Sequence, residues 1–434
     1  MTATDAPSNV APLDDLLDAA RQRYVERRPE SARWAAQADA VLPGGNTRSV
    51  LHFDPFPFRV ASAEGRHLFD VDGHRYVDLL GNYTAGLLGH SPAPVKAAVH
   101  AAIDRGWALG AVHPDEVRLA ELVAARFASI EQVRFTNSGT EANLMALALA
   151  LHHTDRRQVL VFDGGYHGGV LTFGAARQVN VPHEWVVSRY NDVDALAAVF
   201  AEHGDTLAAV LVEPVQGSAG CIPADREFLA AIRAHCDRSG ALLVFDEVMT
   251  SRLAPGGAQE RYEVAPDLTT LGKYLAGGFS FGAFGGCRDL MAAFDVGGPL
   301  GHAGTFNNNV VSMAAGVATL TDVLTPGVLA ATNERGDRLR DALQEVFVRR
   351  GVPLSVTGVG SLMTVHATAG PVRSVEDLHD ADDRWKELLF FDSLEAGFYL
   401  ARRGFIALSI EITNDDLDEF VRFVDGWAAG IGSP

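Results

Sequence analysis

The chain has 434 residues, 47% hydrophobic and 21% charged, which is the ordinary range for a folded globular protein and too long for one compact domain, so two or three domains are expected. Its 36 basic and 55 acidic side chains give a formal net charge of -19, which repels nucleic-acid phosphates and anionic membrane surfaces, so neither is expected as a partner. The opening MTATDAPSNVAPLDD lacks a basic region before an apolar core, and no later stretch reaches the roughly 20 apolar residues of a membrane span, so a cytoplasmic location is expected.

Taken in chain order, LFDVDGHRYVDLL at 68–80 places Asp72-Gly73 between alternating apolar residues and predicts a β-hairpin. A helix is predicted over about 142–152, a strand over QVLVF at 158–162 and a second over LAAVLV at 207–212. A helix over about 225–238 then precedes a strand over ALLVF at 241–245. Short apolar runs alternating with amphipathic helices predict an α/β fold, with a mostly parallel sheet covered by helices. Past Thr325-Pro326 the pattern changes to a long charged helix, further strands and a closing amphipathic helix near 416–427. The expected division is a large domain over 85–322 and a smaller α+β domain built from 1–84 and 323–434. Cys221, Cys236 and Cys287 are odd in number and lack paired spacing, so packed thiols are expected rather than disulfides or a metal site.

Ligands of open α/β sheets bind beyond the carboxyl ends of the strands, and four candidates lie there. Asp246 and Glu247 end the run ALLVF, one pointing to each side of the sheet. A buried carboxylate there needs a partner, either a protonated ring nitrogen or, more simply, an arginine or a helix end. Lys273 follows 27 residues after Asp246 in DLTTLGKYLAGGFSFGAFGG. Among small and apolar residues its amine should lose its proton readily and form a Schiff base, although a surface lysine in a glycine-rich loop fits the segment too. Asn137-Ser138-Gly139-Thr140-Glu141 opens a helix and suits either a phosphate or plain N-capping. In Asp163-Gly164-Gly165-Tyr166-His167-Gly168 either aromatic could lie on a planar ring or merely cover the sheet edge.

The order NSGTEAN, GGYHGG, VEPVQGSAGCIP, LLVFDEV, TLGKYLAGG, GHAGTFNNN resembles the class III aminotransferases of fold type I, from roughly Ala61 to Leu320. That resemblance implies pyridoxal phosphate held on Lys273, with Asp246 at the pyridine nitrogen and Val248 and Tyr166 on the two ring faces. It implies Ser138, Gly139 and Thr140 around the phosphate, and Glu213 near the phenolic oxygen. Thr305 would reach the phosphate of a partner subunit, giving a homodimer with shared active sites. Within the class, NTRSVL, NYTAG, FDEVMTSRLAP, GGFSFGAFGG, GTFNNN and RGF resemble the β-phenylalanine aminotransferases, while glutamate-1-semialdehyde aminomutases are also similar. A cofactor-binding regulator without turnover is a third reading. The first implies a transaminase moving the amino group of an aromatic β-amino acid to α-ketoglutarate or pyruvate, with Arg48, Tyr83 and Arg403 contacting substrate. Phe53, Phe56, Phe58 and Phe405 are the expected apolar wall around these arginines.

Overall fold

The structure is a computed structural model that describes residues 12–174 and 179–431. Residues 1–11, where no targeting signal is expected, lie outside them. Strands β1 (Val60–Glu64), β2 (His67–Asp70) and β3 (Arg75–Asp78) form an antiparallel meander. The hairpin expected at Asp72-Gly73 is present with a four-residue turn, because the Asp70 carboxylate accepts the amides of Asp72 (3.0 Å) and His74 (2.8 Å).

Strands β4 (Gln132–Thr136), β5 (Gln158–Phe162), β6 (Glu184–Ser188) and β7 (Leu207–Val212) follow. A two-stranded ribbon of β8 (Val215–Gln216) and β9 (Ile222–Pro223) comes next, and then β10 (Leu242–Asp246), β11 (Leu268–Gly272) and β12 (Gly282–Gly286). Seven of these form one sheet in the order β4-β12-β11-β10-β7-β5-β6, with β12 antiparallel to both neighbours and the other pairings parallel. Every residue of β7, β10 and β11 is buried. Both faces are therefore covered, which is why these strands read as unbroken apolar runs instead of alternating ones. The strand expected over 241–245 lies at 242–246, so Asp246 is its last residue.

Strands β13 (Ser355–Val359), β14 (Leu362–His366) and β16 (Phe405–Ala407) make a three-stranded antiparallel sheet. Strand β15 (Phe398–Tyr399) pairs in parallel with β3, joining a strand from late in the chain to the early meander. The long helix Pro326–Arg350 and the last helix Asn414–Ile431 pack with the N-terminal helix Leu13–Arg27 in a core containing Leu17, Tyr24, Leu343, Phe391 and Phe420. No single described helix is long and apolar enough to cross a membrane.

Arg28 fastens this core. It is 1% exposed, and its guanidinium reaches Glu395 (2.7 Å), the Tyr76 hydroxyl (3.1 Å) and Asp70 (3.9 Å). Removing one member of a buried ion cluster leaves the others uncompensated, so Arg28→Ala should cost roughly 3–5 kcal/mol of stability. Chemical denaturation measures this directly; a loss under about 1 kcal/mol would mean that Arg28 does not hold the two ends of the chain together.

Candidate active site

Five strands deliver their following residues to one edge of the large sheet. Strand β4 leads to Ser138, β5 to Tyr166 and His167, β7 to Glu213, β10 ends in Asp246, and β11 leads to Lys273. Glycines 272 and 282 pair at the same edge.

Asp246 is 5% exposed. One carboxylate oxygen accepts from Asn143 Nδ2 (2.8 Å) and lies 2.9 Å from His167 Nδ1; the other accepts the amide of Val248 (3.0 Å). With the carboxylate ionised, Nδ1 is the nitrogen that carries the imidazole proton. Asn143 is fixed in turn by Thr270 Oγ1 (2.7 Å) and the carbonyl of His167 (3.0 Å). Among the described residues no arginine or lysine forms an ion pair with Asp246, so the arginine pairing is not the one the fold adopts. Glu247 points the other way, where the amides of Ala258 (2.5 Å) and Gln259 (3.0 Å) bind it at the start of the helix Gly257–Tyr262.

The chain has three lysines. Lys96 is exposed, Lys386 pairs with Asp383 at 2.7 Å, and Lys273 lies half-buried at the sheet edge. Lys273 adopts φ 56°, in the left-handed region that a side chain enters only when its surroundings hold it there. Burial lowers its pKa to about 8 and outweighs the opposing pull of Asp246 and Glu213. Glu213 is itself pushed up to about 7, chiefly by burial. Its oxygens accept the amides of Tyr166 (2.9 Å) and Gly217 (3.1 Å), which fixes the backbone beneath the Tyr166 ring. Tyr166 is 46% exposed, whereas His167 is 3% exposed and committed to Asp246. Of the two aromatics, Tyr166 is the one open to a ligand.

At the head of the helix Gly139–Thr154, Ser138 is the N-cap and accepts the amide of Glu141 (3.2 Å). The amides of Gly139 and Thr140 have no hydrogen-bond partner among the described residues, so the helix start combines a capped position with two free donors for an anion. A Cβ on Gly139 would meet Val248 Cγ2 at 2.6 Å, and one on Gly272 would meet Val248 Cγ1 at 3.2 Å. Val248 thus packs between the helix start and the residue before Lys273. Thr305 is exposed.

Arg48 and Arg403 both approach Tyr83. Arg48 Nη1 donates to Asn82 Oδ1 (2.7 Å), and the Arg403 guanidinium lies 5.1 Å from the Tyr83 ring centroid and 5.5 Å from that of Phe405. Both charges also act on the Tyr166 phenol, whose pKa burial raises. Arg402 turns away to Glu387 (3.3 Å). The expected wall is corrected in part. Phe53 packs on Phe390 and Tyr24, Phe56 on Tyr24, and Phe58 on Tyr76 and Tyr399. These three sit in or against the N-terminal helix core, because the irregular segment before β1 packs their rings on Tyr24, Tyr76, Phe390 and Tyr399, and only Phe405 stands beside Arg403.

The family model for aminotransferase class III matches residues 51–384. The chain is a class III aminotransferase. It is 49% identical to the β-phenylalanine transaminase of Variovorax paradoxus over 98% of both chains. A crystal structure of a β-phenylalanine aminotransferase from that organism, 50% identical, superposes with a TM-score of 0.95 over 96% of this chain and 98% of that one. A glutamate-1-semialdehyde 2,1-aminomutase of Akkermansia muciniphila is 37% identical over 91% of this chain and 98% of its own.

Aminotransferases of this class depend on pyridoxal phosphate, and the site fits it: Asp246 is a buried carboxylate lacking a strong cation, the helix start has two free amides, and Lys273 has a depressed pKa. Asn143 and the buried role of His167 were not found from sequence, since each depends on Asp246, 103 and 79 residues away. Cys221 and Cys236 are buried as expected, while Cys287 is exposed.

In the cofactor-free protein, the folded-state pKa of Lys273 is lowered, so its neutral form is lost as pH falls through about 8. Trinitrobenzenesulfonate labelling of the Lys273 peptide, followed by mass spectrometry, should therefore titrate near pH 8; a midpoint near the ordinary 10.5 would contradict the buried placement.

Proposed function

We propose that this aminotransferase moves the amino group of an aromatic β-amino acid, such as β-phenylalanine, to an α-keto acid, either α-ketoglutarate or pyruvate, in two half-reactions. Full-length likeness to the Variovorax paradoxus β-phenylalanine transaminase carries this reading, and the paired arginines at Tyr83 support it.

Bound at this site, pyridoxal phosphate supplies an electron sink for the carbanion formed when the amine-bearing carbon loses its proton. In the proposed roles, Lys273 Nζ would hold the cofactor until the substrate amine displaces it, and its freed amine would then take that proton. Asp246 keeps a proton on the pyridine nitrogen, fixed for this by Asn143 and His167. Val248 and Tyr166 enclose the ring, Glu213 faces its phenolic oxygen, and Ser138, Gly139 and Thr140 receive the phosphate. Arg48 binds the β-amino acid carboxylate and Arg403 the α-carboxylate of the keto acid, with Tyr83 between them.

Thr305 completes a partner's phosphate site in a homodimer. Its surroundings support this: Trp107, Leu109, Val112, Val117 and Phe306 are exposed large apolar side chains. A cavity of about 820 Å³, lined by Val112, Phe135, His302, Gly304 and Asn307 among others and not by Lys273, lies beside that loop. A second copy would cover this apolar ground. We also place residues 85–322 in a large domain, with 1–84 and 323–434 forming the small one. The parallel pairing of β15 with β3 supports that grouping. The unpaired cysteines suit a reducing cytoplasm.

Purified protein given β-phenylalanine and α-ketoglutarate should form glutamate. In single-turnover measurements Arg403→Ala should slow the acceptor half-reaction at least about tenfold more than the donor half-reaction, the effect of losing a charge-assisted bond. Equal losses would show that the two carboxylates are not read by separate arginines. Conversion of glutamate-1-semialdehyde without a second substrate, and none of β-phenylalanine, would make the protein an aminomutase.

A further inference from the structure

After β3 the chain enters four successive residues in the left-handed region: Gly81, Asn82, Tyr83 and Thr84, at φ 53, 47, 51 and 77°. Asparagine tolerates this region, but tyrosine and β-branched threonine do so poorly, so the surroundings must impose it. They do so from several sides. One oxygen of Asp78 accepts the amides of Leu80 and Gly81 (both 3.0 Å), and the other lies 3.0 Å from His90 Nε2. Gly86 N donates to the Gly81 carbonyl (2.8 Å), Ala407 N donates to the Leu79 carbonyl (2.8 Å), and Thr84 is fully buried. Gly81 has no room for a side chain, since a Cβ there would stand 2.8 Å from the carbonyl oxygen of Ala407.

This constrained turn contacts both arginines to which substrate roles are proposed. Asn82 Oδ1 accepts from Arg48 Nη1 at 2.7 Å. The Tyr83 hydroxyl donates to the carbonyl of Val50 (3.0 Å), two residues beyond Arg48. The Tyr83 ring stacks on Phe405 (5.7 Å between centroids, 27° between planes), with Arg403 over both rings. One turn therefore touches both arginines.

We propose that Asn82 is the positioning residue for Arg48, fixing its guanidinium through a neutral carboxamide that leaves the positive charge free for a substrate carboxylate. The inference rests on the substrate reading above. Its physical basis is the difference between a neutral and an ionised acceptor. A carboxamide oxygen orients the guanidinium fork through a single bond, and an arriving carboxylate displaces it because the carboxylate brings the opposite charge and can accept two parallel N–H bonds. A carboxylate at residue 82 would instead pair with Arg48 and compete with the substrate. The turn imposed by Asp78 fixes where the carboxamide stands, so Arg48 is aimed before the substrate arrives.

The test uses the holoenzyme and 3-phenylpropanoate, which has the carboxylate and ring of β-phenylalanine but no amine and cannot turn over. Its inhibition constant is measured for Asn82→Asp, Asn82→Gly, Arg48→Ala and the Arg48→Ala/Asn82→Asp double variant, with both half-reaction rates. Aspartate and glycine both accept the left-handed backbone, so the turn survives either change. Asn82→Asp should raise the inhibition constant about tenfold and Asn82→Gly about threefold, with the acceptor half-reaction within about twofold of the parent. In the Arg48→Ala background the Asn82→Asp effect should vanish, because the residue acts through the arginine. If Arg48→Ala weakens 3-phenylpropanoate while Asn82→Asp does not, the positioning role is overturned and the substrate reading stands. If Arg48→Ala itself leaves the inhibition constant unchanged, the substrate reading falls and the positioning role falls with it.

Discussion

The site is organised around a carboxylate buried without an arginine or lysine. Taking a carboxylate out of water costs several kcal/mol even after the protein relaxes, and Asp246 recovers this through hydrogen bonds from Asn143, His167 and Val248. Those donors orient the carboxylate without neutralising it, so its charge remains available to a cationic ring nitrogen. Its influence reaches its neighbours. Asp246 raises the pKa of Glu213 and pulls that of Lys273 upward, yet the lysine still ends near 8 because desolvation is the larger effect.

The architecture explains why these groups meet. Parallel strands point their carboxyl ends the same way, so β4, β5, β7, β10 and β11 all release their functional residues at one edge. Val248 then ties two of them together, since Gly139 has no room for a side chain against it and Gly272 only a tight one. A change at Gly139 would thus disturb the helix start and the approach to Lys273 together. Arg48 and Arg403 are carried differently, Arg48 in the segment before β1 and Arg403 on the loop before β16, and the left-handed turn after β3 touches both.

Much of this was legible in the sequence because burial on both faces leaves a plain mark. QVLVF and LAAVLV are strands at the expected residues, and the paired Asp246 and Glu247 do face opposite sides of the sheet. At Ser138 the capping and anion readings were rivals on paper, and the structure contains elements of both, a capped serine followed by two free amides. What stayed hidden depends on partners distant in sequence. Nothing local marks Asn143 as a support of Asp246 or sends Phe53 and Phe58 into the core away from Arg403, and only the family resemblance, not the residues RRGF themselves, separates Arg403 from Arg402. The left-handed turn has no local mark for a related reason: only Gly81 and Asn82 suit it by type, and the carboxylate of Asp78, held by His90, fixes its entry at Leu80 and Gly81.

The central claim is that Lys273 is the residue that carries the cofactor. With three lysines in the chain, incubation with pyridoxal phosphate, reduction with borohydride and peptide mapping tests it directly. The cofactor should be recovered covalently on the peptide containing Lys273, and recovery on Lys96 or Lys386 instead would contradict the account.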